Sequence, residues 1–309
     1  MMYRNEFRAM ASRMLAVVDS GASEPPEELQ MVPSWFEEWE QVLSRFRSDS
    51  ELCQLNINAG CEISVSQILW DVYQTSLEAE HLTNGLVTPL ILQALIHAGY
   101  DRSFAMLFDC EPHSFLNYEA AQGSLNDIVA NEGTRSITLP LRARLDFGGI
   151  AKGWAAHQAA QRLGKIGPAL VDAGGDIAVT APLSNGESWA IGVENPFNRE
   201  SNLEVIHLHS GGVATSGKDY HRWMRNGATQ HHIIDPRTGL PAETDVLTAT
   251  VIAPTVMEAE AIAKFILISG SQIGLERLNG DDELAGLIVL ENSQCLYSRS
   301  FGKYLQAEI

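Results

Sequence analysis

Residues 170–179 read LVDAGGDIAV, two short apolar runs of strand character that meet at Gly174 and Gly175. Paired glycines at such a junction supply the backbone freedom a tight hairpin corner needs, and their missing side chains also let the backbone approach a flat ligand closely. Asp172 and Asp176 flank the corner, either as turn residues or as partners for a heterocycle or ribose, and the local sequence leaves both readings open. The same grammar recurs from Ile137 onward, in LDFGGIAKG at 145–153 and GGVATSG at 211–217. Apolar strands alternating with glycine clusters and mixed with helical segments predict one compact mixed fold of strands and helices. No repeat of solenoid period and no low-complexity tract interrupts the chain, so one domain over residues 1–309 is expected.

Working outward, a first strand is expected around Arg13 to Val18, followed by an acidic surface loop, SGASEPPEEL. Ser34 and Glu37 have capping-box spacing, and Phe36, Trp39, Val42, Leu43 and Phe46 recur at helical intervals, which predicts a helix ending near Arg47. A second helix is expected from Ser66 to about Leu82, with Asn84 and Gly85 past its end. Thr255 and Glu258 form another capping box ahead of the apolar stripe Val256, Ala259, Ile262, Ala263 and Ile266.

The chain of 309 residues is 45% hydrophobic, enough to bury a full core, and its formal charge is −18. That charge repels phosphate backbones and anionic lipid head groups, so nucleic-acid and membrane roles are not expected. Residues 1–20 contain no uninterrupted apolar stretch of the secretory kind, no window is apolar enough to span a bilayer, and a cytoplasmic location follows as the expectation. Cys53, Cys61, Cys110 and Cys295 are scattered without a CxxC pair, which predicts reduced, structural thiols.

Three segments carry chemistry. Leu145 and Asp146 are expected to close a strand, Gly148 and Gly149 to turn, and a helix to begin near Ile150 with Lys152 in its first turn and to stop at Gly164. Such a helix N-terminus with an adjacent lysine attracts anions, although a plain surface lysine has the same spacing. The densest segment runs from Gly211 to Pro241, GGVATSGKDYHRWMRNGATQHHIIDPRTGLP. It gathers the hydroxyls of Thr215, Ser216, Tyr220 and Thr238, the imidazoles of His221, His231 and His232, and the cations Lys218, Arg222, Arg225 and Arg237. In so acidic a chain, a local basic excess beside hydroxyl and backbone donors suits a diphosphate. Asp235, Pro236 and Gly239 also spell an ordinary turn, and the two readings are compatible.

TSGKDY followed by HHIIDPRTG, with LDFGGIAKGW and LVDAGGDIAV upstream, resembles the ApbE family of FAD:protein FMN transferases. AMAS at 9–12, RFRSDSELCQLN at 45–56 and TNGLVTPL at 83–90 extend the likeness over most of the chain in consistent order. The resemblance implies an α+β fold of T-fold-like architecture, mixed or antiparallel sheets packed with helices, that grips FAD with Mg²⁺ at the diphosphate. FMN would pass to a Thr or Ser hydroxyl of a target flavoprotein, with release of AMP. It further implies His232 as the histidine that assists deprotonation of the acceptor, with Lys152 as a second catalytic group. Thr215, Ser216, Gly217 and Tyr220 would form a flavin-side loop, and Gly174, Gly175 and Asp176 would abut the cofactor. Phe46 would stack on the isoalloxazine, Ile233 and Asp235 would complete the cofactor contacts, and Glu260 with the Gly149 carbonyl would hold the metal.

Three positions depart from the family pattern. Where typical members carry an Asp and, four residues later, a Thr that help hold Mg²⁺, this chain has Glu260 and Lys264. Glu four residues before Lys on a helix also reads as a surface ion pair, worth about 0.2 to 0.5 kcal/mol when exposed. An ammonium near the metal would weaken Mg²⁺ binding by like-charge repulsion, or would itself neutralise the diphosphate. His157 replaces a common Asp, and VTPL replaces an FDPT-like run. Two other activities therefore stand beside transfer: a FAD-binding store or carrier, and a FAD pyrophosphatase giving FMN and AMP.

Overall fold

In the computed structural model the chain opens with a hairpin of two eight-residue strands, Met2–Ala9 and Ser12–Asp19, so a strand precedes the one expected from sequence. The structure describes residues 1–104, 124–220, 222–225 and 227–305; Cys110 and His221 lie outside the described residues. Two compact units are distinguished. The first comprises Met1–Glu37, Lys152–Asp219 and Thr244–Ile309, and the second Glu38–Ala151 and Tyr220–Glu243.

Unit 1 is organised by an eight-stranded sheet. In spatial order its strands are Met2–Ala9, Ser12–Asp19, Ala169–Ala173, Asp176–Val179, Gly211–Gly217, Val246–Ala253, Ala285–Leu290 and Cys295–Tyr297, each antiparallel to its neighbours. Every residue of Val246–Ala253 is buried, because both faces of the sheet are covered. On one face the helix Val256–Ser269 lies on the strands Gly211–Gly217 and Val246–Ala253. On the other, the hairpin Trp189–Glu194/Asn202–Leu208 contributes Trp189, Ile191, Val193, Ile206 and Leu208 to a cluster with Val213, Ile252 and Leu287 of the sheet. The period-2 alternation along each strand assigns odd and even residues to these two cores.

Helix and sheet approach so closely on the first face that one strand position has no room for a side chain. A Cβ built on Gly212 would overlap the backbone of Val256, in the first turn of the helix. Thr255 caps that helix as expected, its hydroxyl accepting from Glu258 N at 3.2 Å.

The expected start of the first helix is corrected. The helix runs Glu27–Leu43, so the end of the acidic stretch read as loop is helical, and Ser34 lies inside the helix with its hydroxyl donating to Met31 O at 2.7 Å. Pro33 lies inside the helix, where proline removes the N–H that would bond the carbonyl four residues back. Here that carbonyl, Leu29 O, accepts from the Asn5 side-chain amide at 3.0 Å. A residue of the first strand thus satisfies the group that Pro33 orphans.

Unit 2 contains the helices Glu51–Ile57, Gln67–Leu82 and Leu92–His97, a three-stranded sheet of Glu62–Ser64, Ser136–Thr138 and Val129–Asn131, and the hairpin Arg222–Arg225/Ala228–His231. The second expected helix is found, with Ser66 as its N-cap and positive φ at Asn84 and Gly85 beyond its end. Leu145 and Asp146 are not part of a strand. Instead the buried side chain of Asn56 imitates one, donating to Leu145 O at 2.8 Å and accepting from Leu145 N at 2.7 Å. Cys53, Cys61 and Cys295 are free thiols. Among the described residues no helix is long and apolar enough to cross a membrane.

Replacing Gly212 by Ala drives a methyl group into helix backbone that cannot rotate away, and overpacking of this kind costs about 1 to 3 kcal/mol. We expect a lower thermal midpoint for Gly212→Ala than for wild type; an unchanged melting curve would contradict the close helix–sheet approach.

Candidate functional site

Within unit 1 the expected residues gather at one end of the central strands. Gly174 and Gly175 form the two-residue corner of the hairpin Ala169–Ala173/Asp176–Val179, with φ of 71° and 98°. Positive φ at both central residues is the turn whose twist matches the flanking strands. A Cβ at Gly174 would also stand 2.8 Å from Ser12 Cβ, so this position needs glycine twice over. Asp172 holds the corner from within, its carboxylate accepting from Gly175 N at 2.7 Å. Burial, together with the charge of Asp176, pushes the Asp172 carboxyl above its ordinary value against the opposing effect of that hydrogen bond. The corner touches the hydroxyl strand directly: Thr215 N donates to Gly175 O at 3.2 Å. Thr215 is exposed and pairs hydroxyl to hydroxyl with buried Thr250 at 2.9 Å, whereas its neighbour Ser216 is buried.

Behind this corner lies a knot of charge. The Lys152 ammonium pairs with the Asp176 carboxylate and stands 3.8 Å from Glu260 Oε1. Lys264 Nζ donates to the same Glu260 oxygen at 2.9 Å, and Gly153 N donates to the other, Oε2, at 3.1 Å. Burial works against the charge of Lys152, but Asp176, Glu260 and Asp172 outweigh it and hold the ammonium above its usual range. Glu260 and Asp176 are 1% and 2% exposed, and the side chain of Lys264 is 14% exposed. The surface-pair reading of Glu260 and Lys264 is therefore corrected: Glu260 is buried and Lys264 is partly buried. Glu260 also fills a structural post, since Gly153 sits in the first turn of the helix Ala151–Leu163 and its N–H has no partner within that helix. A carboxylate there is further favoured by the helix dipole.

These contacts decide how the proposed metal ligand can act. Mg²⁺ requires oxygen ligands at about 2.0 to 2.1 Å in near-octahedral geometry. At Glu260 both oxygens already accept hydrogen bonds, and one of them faces two ammonium groups. Among the described residues no group of three or more His, Cys, Asp or Glu side chains is arranged to hold a metal ion. The residues at Glu260 do not fit Mg²⁺. Gly149, its expected companion, lies in a turn of unit 2, where Gly148 N donates to Asp146 Oδ1 at 2.7 Å.

Unit 2 carries the remaining candidates. His231 is buried and donates from Nε2 to Ala242 O at 3.1 Å, while His232 is half-buried and followed by the buried Ile233. The pattern singles out His232 over its neighbour as the imidazole with solvent access. Tyr220 is 52% exposed. Asp235 closes the DPRTG turn, its backbone carbonyl accepting from Gly239 N at 2.8 Å and its carboxylate accepting from Arg237 N at 2.9 Å. Burial opposes ionisation of Asp235, yet the Arg237 side chain and backbone N–H prevail and hold its carboxyl below the usual range. A cavity of about 800 Å³ joins this turn to the TNGLVTPL stretch, with Asn84, Thr88, Ile234 and Arg237 in its lining.

Phe46 follows the end of the first helix and is 45% exposed, so a core role is excluded. Sequence reasoning missed what holds it. The Arg45 guanidinium lies 4.1 Å from the Phe46 ring centroid and 4.6 Å from that of Tyr100, and donates to Tyr100 O at 2.8 Å. Its charge is met by Asp146, Nε to Oδ2 at 2.5 Å, with both side chains buried. The signal was Arg45 beside Phe46 in RFRSDSE and Asp146 ahead of the glycine turn; only their pairing was invisible.

The basic excess read from Gly211–Pro241 is partly spent on structure. Lys218 is buried and bridges Glu291 Oε1 at 3.0 Å and Thr244 O at 2.8 Å, and Arg237 is paired with Asp235. Half-buried His157 has its basicity lowered by burial.

Two outcomes follow from this geometry. Glu260→Ala strips a buried carboxylate from two ammoniums and a helix N–H, and breaking a buried pair from one side costs about 3 to 5 kcal/mol, readable in a denaturant titration. Arg237→Ala should return the Asp235 carboxyl toward the ordinary value of about 3.9 in an NMR titration. Because the native Asp235 value is depressed, its stabilisation is present above that ordinary value and lost as pH falls through the lower one, so the variant should show a weaker loss of stability below about pH 4.

Comparison with known proteins bears on the same segments. Residues 12–288 match the ApbE family. The FAD:protein FMN transferase of Treponema pallidum is 29% identical over 264 residues, covering 81% of this chain and 73% of that protein. The enzyme of the same name from Vibrio cholerae is 28% identical over 246 residues, covering 77% and 72%. The crystal structure of the ApbE protein of Thermotoga maritima superposes with a TM-score of 0.86 at 22% identity over 99% of this chain and 100% of that one. The flavin transferase ApbE of Vibrio cholerae does so at 0.81 and 21%, over 99% of each. These structural likenesses establish the α+β fold. Together with the glycine corner, the hydroxyl strand and the HHIIDPRTG segment in family order, the match over residues 12–288 makes this chain a member of the ApbE family.

Proposed function

We propose that this protein is a FAD:protein FMN transferase, moving FMN from FAD to a Thr or Ser hydroxyl of a target flavoprotein and releasing AMP. The supporting observation is the family match over residues 12–288, with relatives that carry this activity in their names. In the proposed step the acceptor oxygen attacks the phosphorus on the FMN side of the diphosphate. The bond from that phosphorus to the bridging oxygen breaks, the electron pair leaves with AMP, and the acceptor proton passes to a ring nitrogen of neutral His232. Half-buried His232 suits that role better than His231, whose Nε2 is committed to Ala242 O.

Within unit 1 this reading draws on the glycine corner that lets a flat or extended ligand approach, the exposed Thr215 beside it, and the charged Lys152 behind. Within unit 2, taken by itself, the reading draws on Phe46 as an aromatic face kept in place by Arg45, and on Tyr220, Ile233 and Asp235. Gly149 enters only through its backbone carbonyl. Mg²⁺ dependence is not carried into the proposal, because Glu260 is already taken up by Lys264 and Gly153. The cytoplasmic setting and the treatment of residues 1–309 as one functional domain belong to the same proposal and rest on the sequence reading.

Purified protein incubated with FAD and a threonine-containing acceptor peptide should yield a peptide heavier by one FMN moiety together with free AMP. His232→Ala should lower the rate about 10²- to 10⁴-fold while leaving FAD binding in place, as expected on loss of a general base. FMN and AMP without peptide modification would favour the pyrophosphatase, and bound but intact FAD the store.

A further inference from the structure

In unit 1, one buried carboxylate is fully engaged by groups of this chain. Glu260 Oε1 accepts from Lys264 Nζ at 2.9 Å with Lys152 Nζ at 3.8 Å, and Oε2 accepts from Gly153 N at 3.1 Å. Lys264 is four residues after Glu260 on the same helix, so its ammonium is tethered and cannot diffuse away. A divalent ion at Glu260 would have to displace that ammonium from a carboxylate that is 1% exposed, and would leave a charge without its partner. It would also shed tightly held water to do so.

We propose that Lys264 is a built-in cation: it takes at Glu260 the place of a divalent metal, so that this chain binds the diphosphate of a dinucleotide without one. The inference rests on the FAD-binding part of the flavin-transferase reading and deepens it. An ammonium has three donors, and Lys264 spends one on Glu260 among the described residues, leaving donors for an anion. The side chains of Lys264 and Lys152 keep 14% and 26% exposure, so neither cation is sealed off. A neutral hydroxyl at position 264 would leave the Glu260 charge to Lys152 at 3.8 Å and reopen the carboxylate to a metal.

The experiment follows FAD binding by quenching of flavin fluorescence in EDTA and in millimolar MgCl₂, for wild type and Lys264→Thr. It adds calorimetric titration of MgCl₂ alone into FAD-free wild type. We expect wild-type affinity for FAD to agree within about twofold in the two buffers and no saturable heat from Mg²⁺, whereas Lys264→Thr should lose about tenfold or more in EDTA and recover with MgCl₂. Wild-type binding that tightens about tenfold with Mg²⁺, a saturable Mg²⁺ site in wild type, or undiminished binding by Lys264→Thr in EDTA would each overturn the proposal. Should Lys264→Thr fail to fold by circular dichroism, the two wild-type measurements decide alone. Uptake of FAD without Mg²⁺ but without peptide modification sinks the transferase reading and leaves this one standing; uptake or transfer that requires Mg²⁺ sinks this one alone; no uptake sinks both.

Discussion

The ionic knot of Lys152, Asp176, Glu260 and Lys264 is the constraint around which unit 1 is arranged. It joins three elements that packing alone would leave free to slide: the first turn of the helix Ala151–Leu163, the strand that begins at Asp176, and the middle of the helix Val256–Ser269. Charges this deeply buried persist only when each is matched, and the match is what fixes the relative position of helix and hairpin corner. The missing side chain of Gly153 is part of the same device, because a Cβ there would stand 2.5 Å from Glu260 Oε2.

The knot also governs what the corner offers a ligand. Gly174 and Gly175 bring bare backbone beside Thr215, flanked by the carboxylates of Asp172 and Asp176, and the cation behind them, Lys152, is paired with Asp176. Elsewhere the protein treats its few cations in the same way. Lys218 is sunk against Glu291 and Arg45 against Asp146, and exposed Arg237 pairs with Asp235. In a chain of formal charge −18 such pairing limits repulsion between carboxylates, and it makes any positive potential a local arrangement rather than a property of composition.

Much of this was legible beforehand, for identifiable reasons. The hairpin corner at Gly174 and Gly175, the Thr255-capped helix and the Ser66-capped helix are local features, each decided by residues within one turn of one another. The start of the first helix differs from the expectation because Ser34 and Glu37 have capping-box spacing locally, whereas the Asn5 amide that lets the helix run through Pro33 bonds Leu29 O from 24 residues away. Leu145 reads as the end of a strand, yet its backbone pairs with a side chain, Asn56, 89 residues away and not with a second strand. Arg45 went unnoticed since nothing near it in sequence marks Asp146, a hundred residues on, as its counter-ion.

The sequence by itself determined which residue types are present, in what order and with what local turns, and that was sufficient for the α+β class and for the family. What Glu260 and Lys264 mean was decided only by tertiary structure. The same i, i+4 spacing describes a solvated surface pair of little consequence or a buried pair that occupies a cation's place, and the choice lies in desolvation. Whether water reaches a charge depends on the sheet and helix packed around it, and no stretch of sequence contains that information.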